Sequence, residues 1–443
     1  MTEHELSPLD KAHAHRLDGD EEAALRLAIA CARAAPEAPG PIALLTRVLV
    51  DQERDFPAAK MAHRLVDALV RRGDLPGAVI ASSVALDAGE PHRPLLATIA
   101  RAFAKDAGRA GAGSMVPPPF PHVPPMAPEL SKLTGEALLA EAESVARAYL
   151  DADDPLPADG ALPSLPLFGA LGARELEQLL AAARIEEVSK DHEIVRQGDP
   201  GNEAFIVARG LLEVVRREGG DETCLAQLGP GSIFGEMALL SESPRSASVV
   251  ALEPAQLLVL ARDELERAAE EAPELSAQLS AFCRSRMHTN LVRHARVLSG
   301  LSPEERVALL GQLDTRLFEP GELLIARDQQ ADSIFLLASG TVSISVPEEG
   351  ERLVLATLGP GEVVGEMSLV LRRPASADVT ALYPTVAYEL SSDKLRTLMR
   401  TYPALLVELY ALATRRDEEI LAADEEAMRL SDVSTLSADD ILV

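Results

Sequence analysis

Tryptophan is absent from this chain of 443 residues, and tyrosine and phenylalanine number only 5 and 9. A core built from it is therefore aliphatic, and alanine and leucine are abundant enough to supply one. Cysteine is scarce as well: Cys31, Cys224 and Cys283 are far apart and odd in number. That excludes a disulfide framework and a zinc-finger spacing, and makes a reducing, cytoplasmic compartment the expectation. Basic residues are outnumbered, 42 against 70 acidic ones, for a formal charge of −28. Such a chain is repelled by nucleic acid and by anionic membrane, so an anionic ligand has to be captured by a local cluster of positive charge. No run of about 18 apolar residues is present, so no membrane-spanning helix is expected. The first residues, MTEHELSPLD, are polar and acidic, which is wrong for a signal peptide. The histidines form no metal-spaced cluster, and neither a phosphate-binding P-loop nor a nucleophile elbow occurs. No metal, no cofactor and no catalytic residue is expected, and an enzyme is the weakest class.

What the sequence does contain is a stretch of residue types suited to a phosphorylated sugar, Ile233–Val249, IFGEMALLSESPRSASV. Gly235 has no Cβ to keep its backbone from a ligand. Gly235-Glu236 is expected to open a short helix, whose first turn presents unpaired N–H groups and a partial positive charge, which suit a phosphate. Arg245, ten residues after Gly235, brings a planar fork of donors to the same anion. Glu236 supplies an acceptor for a sugar hydroxyl. The bland alternative is a glutamate at a helix start and a surface arginine, each common alone; the pair at this spacing in a β-rich context favours the site.

Gly235, Glu236, Met237 and Ala238, followed by Arg245, Ser246 and Ala247 after Pro244, resemble the phosphate-binding cassette of cyclic-nucleotide-binding domains. That family includes the regulatory subunits of cAMP-dependent protein kinase and the bacterial cAMP receptor proteins. The resemblance implies a β jelly roll with flanking helices and cAMP or cGMP as ligand. It implies Glu236 on the ribose 2′-OH, Arg245 on the cyclic phosphate, and Gly235 with Ala247 lining the cradle. Thr289 and Asn290, late in a long helix, are the implied candidates for contact with the base.

The pattern occurs twice. Adding 130 to the numbering maps Phe205 to Phe335, Gly210 to Gly340, Leu228–Gly231 to Leu358–Gly361, and Gly235-Glu236-Met237 to Gly365-Glu366-Met367. The second copy keeps Gly365, Glu366 and Ser376 but carries Ala375 where Arg245 stands, and Asp328 where Gly198 stands. A methyl group cannot hold a phosphate, so the second cassette is expected to be degenerate: a structural or dimerising partner, or a reader of a different ligand. Arg372 and Arg373 lie nearby as substitutes for that arginine, but they precede Pro374 and would need a different approach to the anion; the reading as solvated surface charges is favoured.

The organisation read from composition is a helical region over 1–106, a Pro-rich linker with one lone amphipathic helix over 107–161, a first cyclic-nucleotide-binding domain over 162–298, a second, degenerate one over 299–420, and an acidic tail over 421–443. The fold class is multidomain α+β. Helices are expected at Leu9–Leu17, Glu21–Ala34, Pro41–Gln52, Pro57–Arg72, Leu75–Leu86 and Arg93–Lys105, with Asp20, Asp55 and Asp74 as N-caps. The segments 19–25 and 73–79 weakly resemble tetratricopeptide-type helical repeats, and the helical region reads as a platform for a protein partner. Arg71-Arg72 invites comparison with a kinase-inhibiting Arg-Arg pair, but sits at a helix end, where basic residues are favoured in any case. Between Pro117 and Pro128 lie 7 prolines, which exclude helix and central strand and leave an extended spacer. The tail offers no helix-turn-helix, and its acidity argues against DNA. Two functions stay open: a cytoplasmic cyclic-nucleotide sensor that relays to a partner such as a kinase, or an interaction scaffold whose jelly rolls serve as homodimer surfaces.

Overall fold

A computed structural model describes residues 6–107, 129–152, 171–218, 221–239, 244–271, 273–348 and 351–434. The chain divides into two units, one holding the helical region and the first sandwich up to Cys283, the other running from Arg284 onward.

The first unit opens with α1 (Pro8–Leu17), α2 (Glu21–Ala34), α3 (Pro39–Asp51), α4 (Asp55–Arg72), α5 (Leu75–Asp87) and α6 (Arg93–Phe103). Each end has a local cause. Ser7 and Asp10 form a capping box at α1, and Asp20 and Asp74 accept from the backbone N–H groups of Ala23 and Gly77 at 3.1 and 2.8 Å. Asp55 does not cap: α4 begins on it, with Arg54 at the N-cap, so its charge acts on the helix dipole from inside the first turn. Gly73, at φ +81°, ends α4 directly after Arg71-Arg72, a left-handed stop that glycine adopts without a Cβ penalty. The basic pair is thus a helix terminus, and Arg72 donates to the carbonyl of Glu37 at 2.9 Å.

Helix α7 (Gly135–Asp151) corrects the expectation of a lone helix. Leu138, Ala142 and Ala146 are fully buried, recurring every four residues on one face, and that face packs on α2 and α4. Arg54 reaches Glu136 and Arg26 reaches the Leu133 carbonyl at its N-terminal end. The Pro-rich run 117–128 lies outside the described residues, as do 153–170.

After α8 (Ala173–Ala182) the first sandwich is formed by β1 (Arg184–Val188), β2 (Glu193–Val195), β3 (Glu203–Arg209), β4 (Leu212–Glu218), β5 (Asp221–Leu228), β6 (Ile233–Phe234), β7 (Ser248–Ala251) and β8 (Ala255–Ala261), followed by α9 (Arg262–Glu271) and α10 (Pro273–His294). Two antiparallel sheets result, in the orders β1-β8-β3-β6 and β2-β7-β4-β5. On β3 and β8 the two-residue period divides the side chains. Phe205, Val207, Leu257 and Val259 face the interior of the sandwich, whereas Ala204, Ile206, Leu258 and Leu260 share one core with the helical region and with α8, α9 and α10. Strands buried on both faces read as unbroken apolar runs, and this is why β3 and β8 do. Polar bonds reinforce the junction: Arg209 pairs with Asp10, and Arg16 with Glu187 at 2.7 Å.

The second unit repeats the plan with α11 (Pro303–Leu310), β9 (Asp314–Phe318), β10 (Leu323–Ile325), β11 (Ser333–Ser339), β12 (Val342–Glu348), β13 (Glu351–Leu358), β14 (Val363–Val364), α12 (Glu366–Leu371), β15 (Asp378–Ala381), β16 (Thr385–Ser391), α13 (Ser392–Thr401) and α14 (Pro403–Ser434). Its sheets are β14-β11-β16-β9 and β10-β15-β12-β13. Even the register shifts recur 130 residues on, at Val207/Arg209 and Leu337/Ser339 and at Val214/Val215 and Ile344/Ser345. The acidic tail is not separate at its start, because α14 carries the backbone through to Ser434.

Candidate functional site

In the first sandwich the expected residues converge. Strand β6 ends at Phe234, Gly235 turns at φ +71°, and a single 3-10 turn, Glu236–Leu239, holds Glu236, Met237 and Ala238. A tight turn replaces the expected short helix. Arg245 comes back onto it: Nη1 donates to the Gly235 carbonyl at 3.1 Å and Nη2 to the Glu203 carbonyl at 2.9 Å. Its guanidinium lies 5.7 Å from the ring centroid of Phe205, which stacks on Phe234 at 4.9 Å, so a cation–π contact supports it from below. A Cβ on Gly235 would lie 2.6 Å from Nη1 of Arg245; glycine is required here both by the left-handed φ and by the approaching cation.

The backbone around Arg245 is fixed by a reciprocal pair of bonds, Gly198 N–H to the Arg245 carbonyl and Arg245 N–H to the Asp199 carbonyl, both at 2.9 Å. Burial lowers the pKa of the guanidinium, and the charges of Glu203 and Glu236 oppose that; an arginine so placed stays protonated. Glu236 is buried, at 5% exposure, and the Sγ of Cys283 on α10 donates to its carbonyl at 3.5 Å. Ala247 is buried and Ser246 exposed. One cation, one carboxylate and a glycine turn therefore stand together, the chemistry an anionic sugar needs. Thr289 and Asn290 belong to the second unit, where the Thr289 hydroxyl donates to the Ser285 carbonyl of its own helix.

The second cassette keeps the frame and carries Ala375 where Arg245 stands. Asp328 N–H bonds the Ala375 carbonyl at 2.9 Å and Ala375 N–H bonds the Gln329 carbonyl at 2.8 Å, the same reciprocal pair 130 residues on. Asp328 follows Gly198 into the left-handed region, at φ +61°. Arg373 pairs with Asp417, and Arg372 ends α12 in an exposed, left-handed position; neither turns to the cassette. Glu366, at 2% exposure, is engaged by Arg416 of α14: Nη1 donates to Glu366 Oε1 at 2.7 Å and to the Val363 carbonyl at 2.6 Å, and Nη2 to Glu362 at 3.0 Å. Burial raises the pKa of Glu366 and Arg416 holds it down. Sequence reasoning missed Arg416, though the offset of 130 points to it from Arg286. It also missed Gly201, whose lack of a side chain makes the room that Arg245 fills.

Residues 185–272 and 315–402 each match the cyclic nucleotide-binding domain. The chain carries two cyclic nucleotide-binding domains in tandem. The matches lie 130 residues apart, the offset read from the sequence. Among curated relatives, the chain is similar to the cAMP-dependent protein kinase regulatory subunit of Yarrowia lipolytica, 30% identical over 53% of this chain and 58% of that protein. It is similar to the type II regulatory subunit of Drosophila melanogaster, 29% identical over 48% and 54%, and to the mouse cGMP-dependent protein kinase 2, 24% identical over 62% and 35%. It thus spans about half the length of the curated relatives it matches. A solved regulatory domain of Toxoplasma gondii PKA, crystallised with cAMP, aligns with 57% of this chain and 92% of its own at 23% identity and a TM-score of 0.26.

Proposed function

We propose that this protein is a cyclic-nucleotide-responsive regulator whose first cassette binds cAMP or cGMP. Arg245 takes the cyclic phosphate, Glu236 the ribose 2′-OH, and the turn Gly235–Ala238 with Ser246 and Ala247 forms the cradle. The observation that carries this reading is Arg245 held over Gly235 by two backbone carbonyls beside a buried Glu236. Relatives named as cAMP-dependent kinase regulatory subunits support cAMP as the first ligand to try.

The relay runs through α10. Cys283 touches the carbonyl of Glu236, so a ligand that draws the cassette turn inward acts directly on this helix. The helix continues past the boundary between the two units at Cys283 and Arg284, which makes it the covalent path of the signal. A ligand shifts such an equilibrium only by its differential affinity for the two states. The output is a protein partner, a kinase catalytic subunit in the narrower version, met through the helical region in the cytoplasm, with no catalysis of its own and with a homodimer as a further possibility of assembly.

Thermal unfolding and hydrogen exchange test both parts. Millimolar cAMP or cGMP is expected to raise the melting temperature of the full chain, whereas linear 5′-AMP at the same concentration leaves it unchanged. Exchange in 273–294 is expected to change on cyclic nucleotide addition. No stabilisation by either cyclic nucleotide would remove the binding reading; stabilisation with unchanged exchange in α10 would remove the relay.

A further inference from the structure

The second cassette has not merely lost an arginine; its phosphate site has been rebuilt in hydrocarbon. Three positions differ together between the copies. Arg245 is replaced by Ala375, Gly201 by Ala331, and Val195 by Ile325. In the first copy a Cβ on Gly201 would lie 2.7 Å from the Nε and Cζ of Arg245, and a Cβ on Gly235 would lie 2.6 Å from its Nη1. In the second copy a Cβ on the corresponding Gly365 would meet the Ser333 carbonyl at 2.6 Å, and the nearest side-chain atom is Cδ1 of Ile325, at 3.0 Å, in place of the guanidinium. Ala331 and Ala375 both pack against the hydrophobic core of the sandwich. The room a guanidinium would need is thus taken by a methyl and an added methylene.

What remains is a cavity of about 430 Å³, within the range typical of small-molecule sites. Ile325, Ile344, Leu358, Met367 and Val379 line its body, and Glu366 with Arg416 closes the polar end. The charge balance there is unfavourable to an anion. Arg416 already faces two carboxylates, Glu366 and Glu362, and Arg373 is spent on Asp417 outside the cavity. An anion would meet net negative charge in an apolar surround, where repulsion is poorly screened. Glu366 is bonded through Oε1, and a carboxylate has acceptor capacity for more than one donor.

We propose that the second cassette is a binding pocket for an uncharged, predominantly apolar small molecule carrying a hydroxyl or amide donor, and that it excludes cyclic nucleotides. The donor bonds Glu366 beside Arg416, while the apolar body lies against Ile325, Ile344 and Val379. Because Arg416 belongs to α14, occupancy bears on the C-terminal helix. This pocket stands whether or not the first cassette takes a cyclic nucleotide.

The test uses the full chain with the neutral, hydroxyl-bearing fluorophore 1-pyrenemethanol, in wild type and in Arg245→Ala. Saturable binding of one dye per chain is expected in both, undisturbed by excess cAMP. Two independent substitutions fill the cavity: Ala375→Phe, and Ala356→Phe on the exposed strand β13, where the fold tolerates a larger side chain. Each is expected to weaken dye binding at least tenfold with the melting temperature preserved for Ala356→Phe. Val354→Lys, which removes exposed hydrocarbon from the same strand outside the cavity, is expected to leave it unchanged. Absence of saturable binding overturns the proposal. So does dye binding that survives Ala356→Phe, that is lost in Val354→Lys, or that cAMP displaces from Arg245→Ala.

Discussion

Replacing Gly201 by alanine imports one methyl group from the second cassette into the first. The Cβ would lie 2.7 Å from Nε and Cζ of Arg245, whereas carbon contacts relax near 3.5–4.0 Å, so the guanidinium retreats by roughly 1 Å. Gly201 is buried but is not among the glycines in the left-handed region, and the clashing atoms are the far end of a flexible side chain. The fold therefore absorbs the change with little loss of stability. A displaced fork keeps only part of a bidentate grip, and losing one charge-assisted bond costs about 1.5–3 kcal/mol. The expected result in calorimetric titration is cAMP binding weakened roughly ten- to a hundredfold, with the melting temperature within a few degrees of wild type. An unchanged dissociation constant in a folded Gly201→Ala protein would refute the claim that Gly201 exists to seat Arg245.

Other expectations follow from the same geometry. Arg416→Ala strands the buried Glu366 carboxylate, and urea unfolding should show the second unit destabilised by about 3–5 kcal/mol. Because burial raises the pKa of Glu366, that penalty should shrink as pH falls toward the carboxyl range and the group takes up its proton. His13, buried beside Arg209 and Arg16, has its pKa pushed well below 6.5, first by desolvation and then by those cations. It is neutral in the fold but protonates in the unfolded chain below about pH 6.5, so stability is full above that pH and falls below it, by at most about 1.4 kcal/mol per unit. His13→Gln should flatten melting temperature between pH 7 and pH 5. Asp328→Gly relieves a non-glycine residue at φ +61° and gives up only an exposed contact with Arg327; urea unfolding should report stabilisation of about 0.5–1 kcal/mol.

The cassette was legible because its chemistry is local: Gly235, Glu236 and Arg245 lie within one short stretch, and their types state their roles. The tandem plan was legible because a constant offset preserves glycines that turns require. Long-range packing was not. Nothing in the sequence of α7 distinguishes a lone amphipathic helix from one whose apolar face is covered by α2 and α4, because periodicity reports a buried face and not what buries it. Strands such as β1 and β6 carry little local signal, since Glu186 and Glu187 interrupt the pattern of β1 and β6 is only two residues long. The Arg416–Glu366 pair joins residues 50 apart, beyond any local motif. Gly201 and Ala331 were readable as a matched difference between the copies, but only the folded chain brings Gly201 against Arg245.

The measurement closest to the central claim is calorimetric titration of the full chain with cAMP and with cGMP, in wild type and in Arg245→Ala. One site per chain for a cyclic nucleotide, weakened a hundredfold or more in Arg245→Ala, is the expected outcome. It would place binding in the first cassette and leave the second outside it. Two sites per chain, or binding indifferent to the loss of Arg245, would contradict the account.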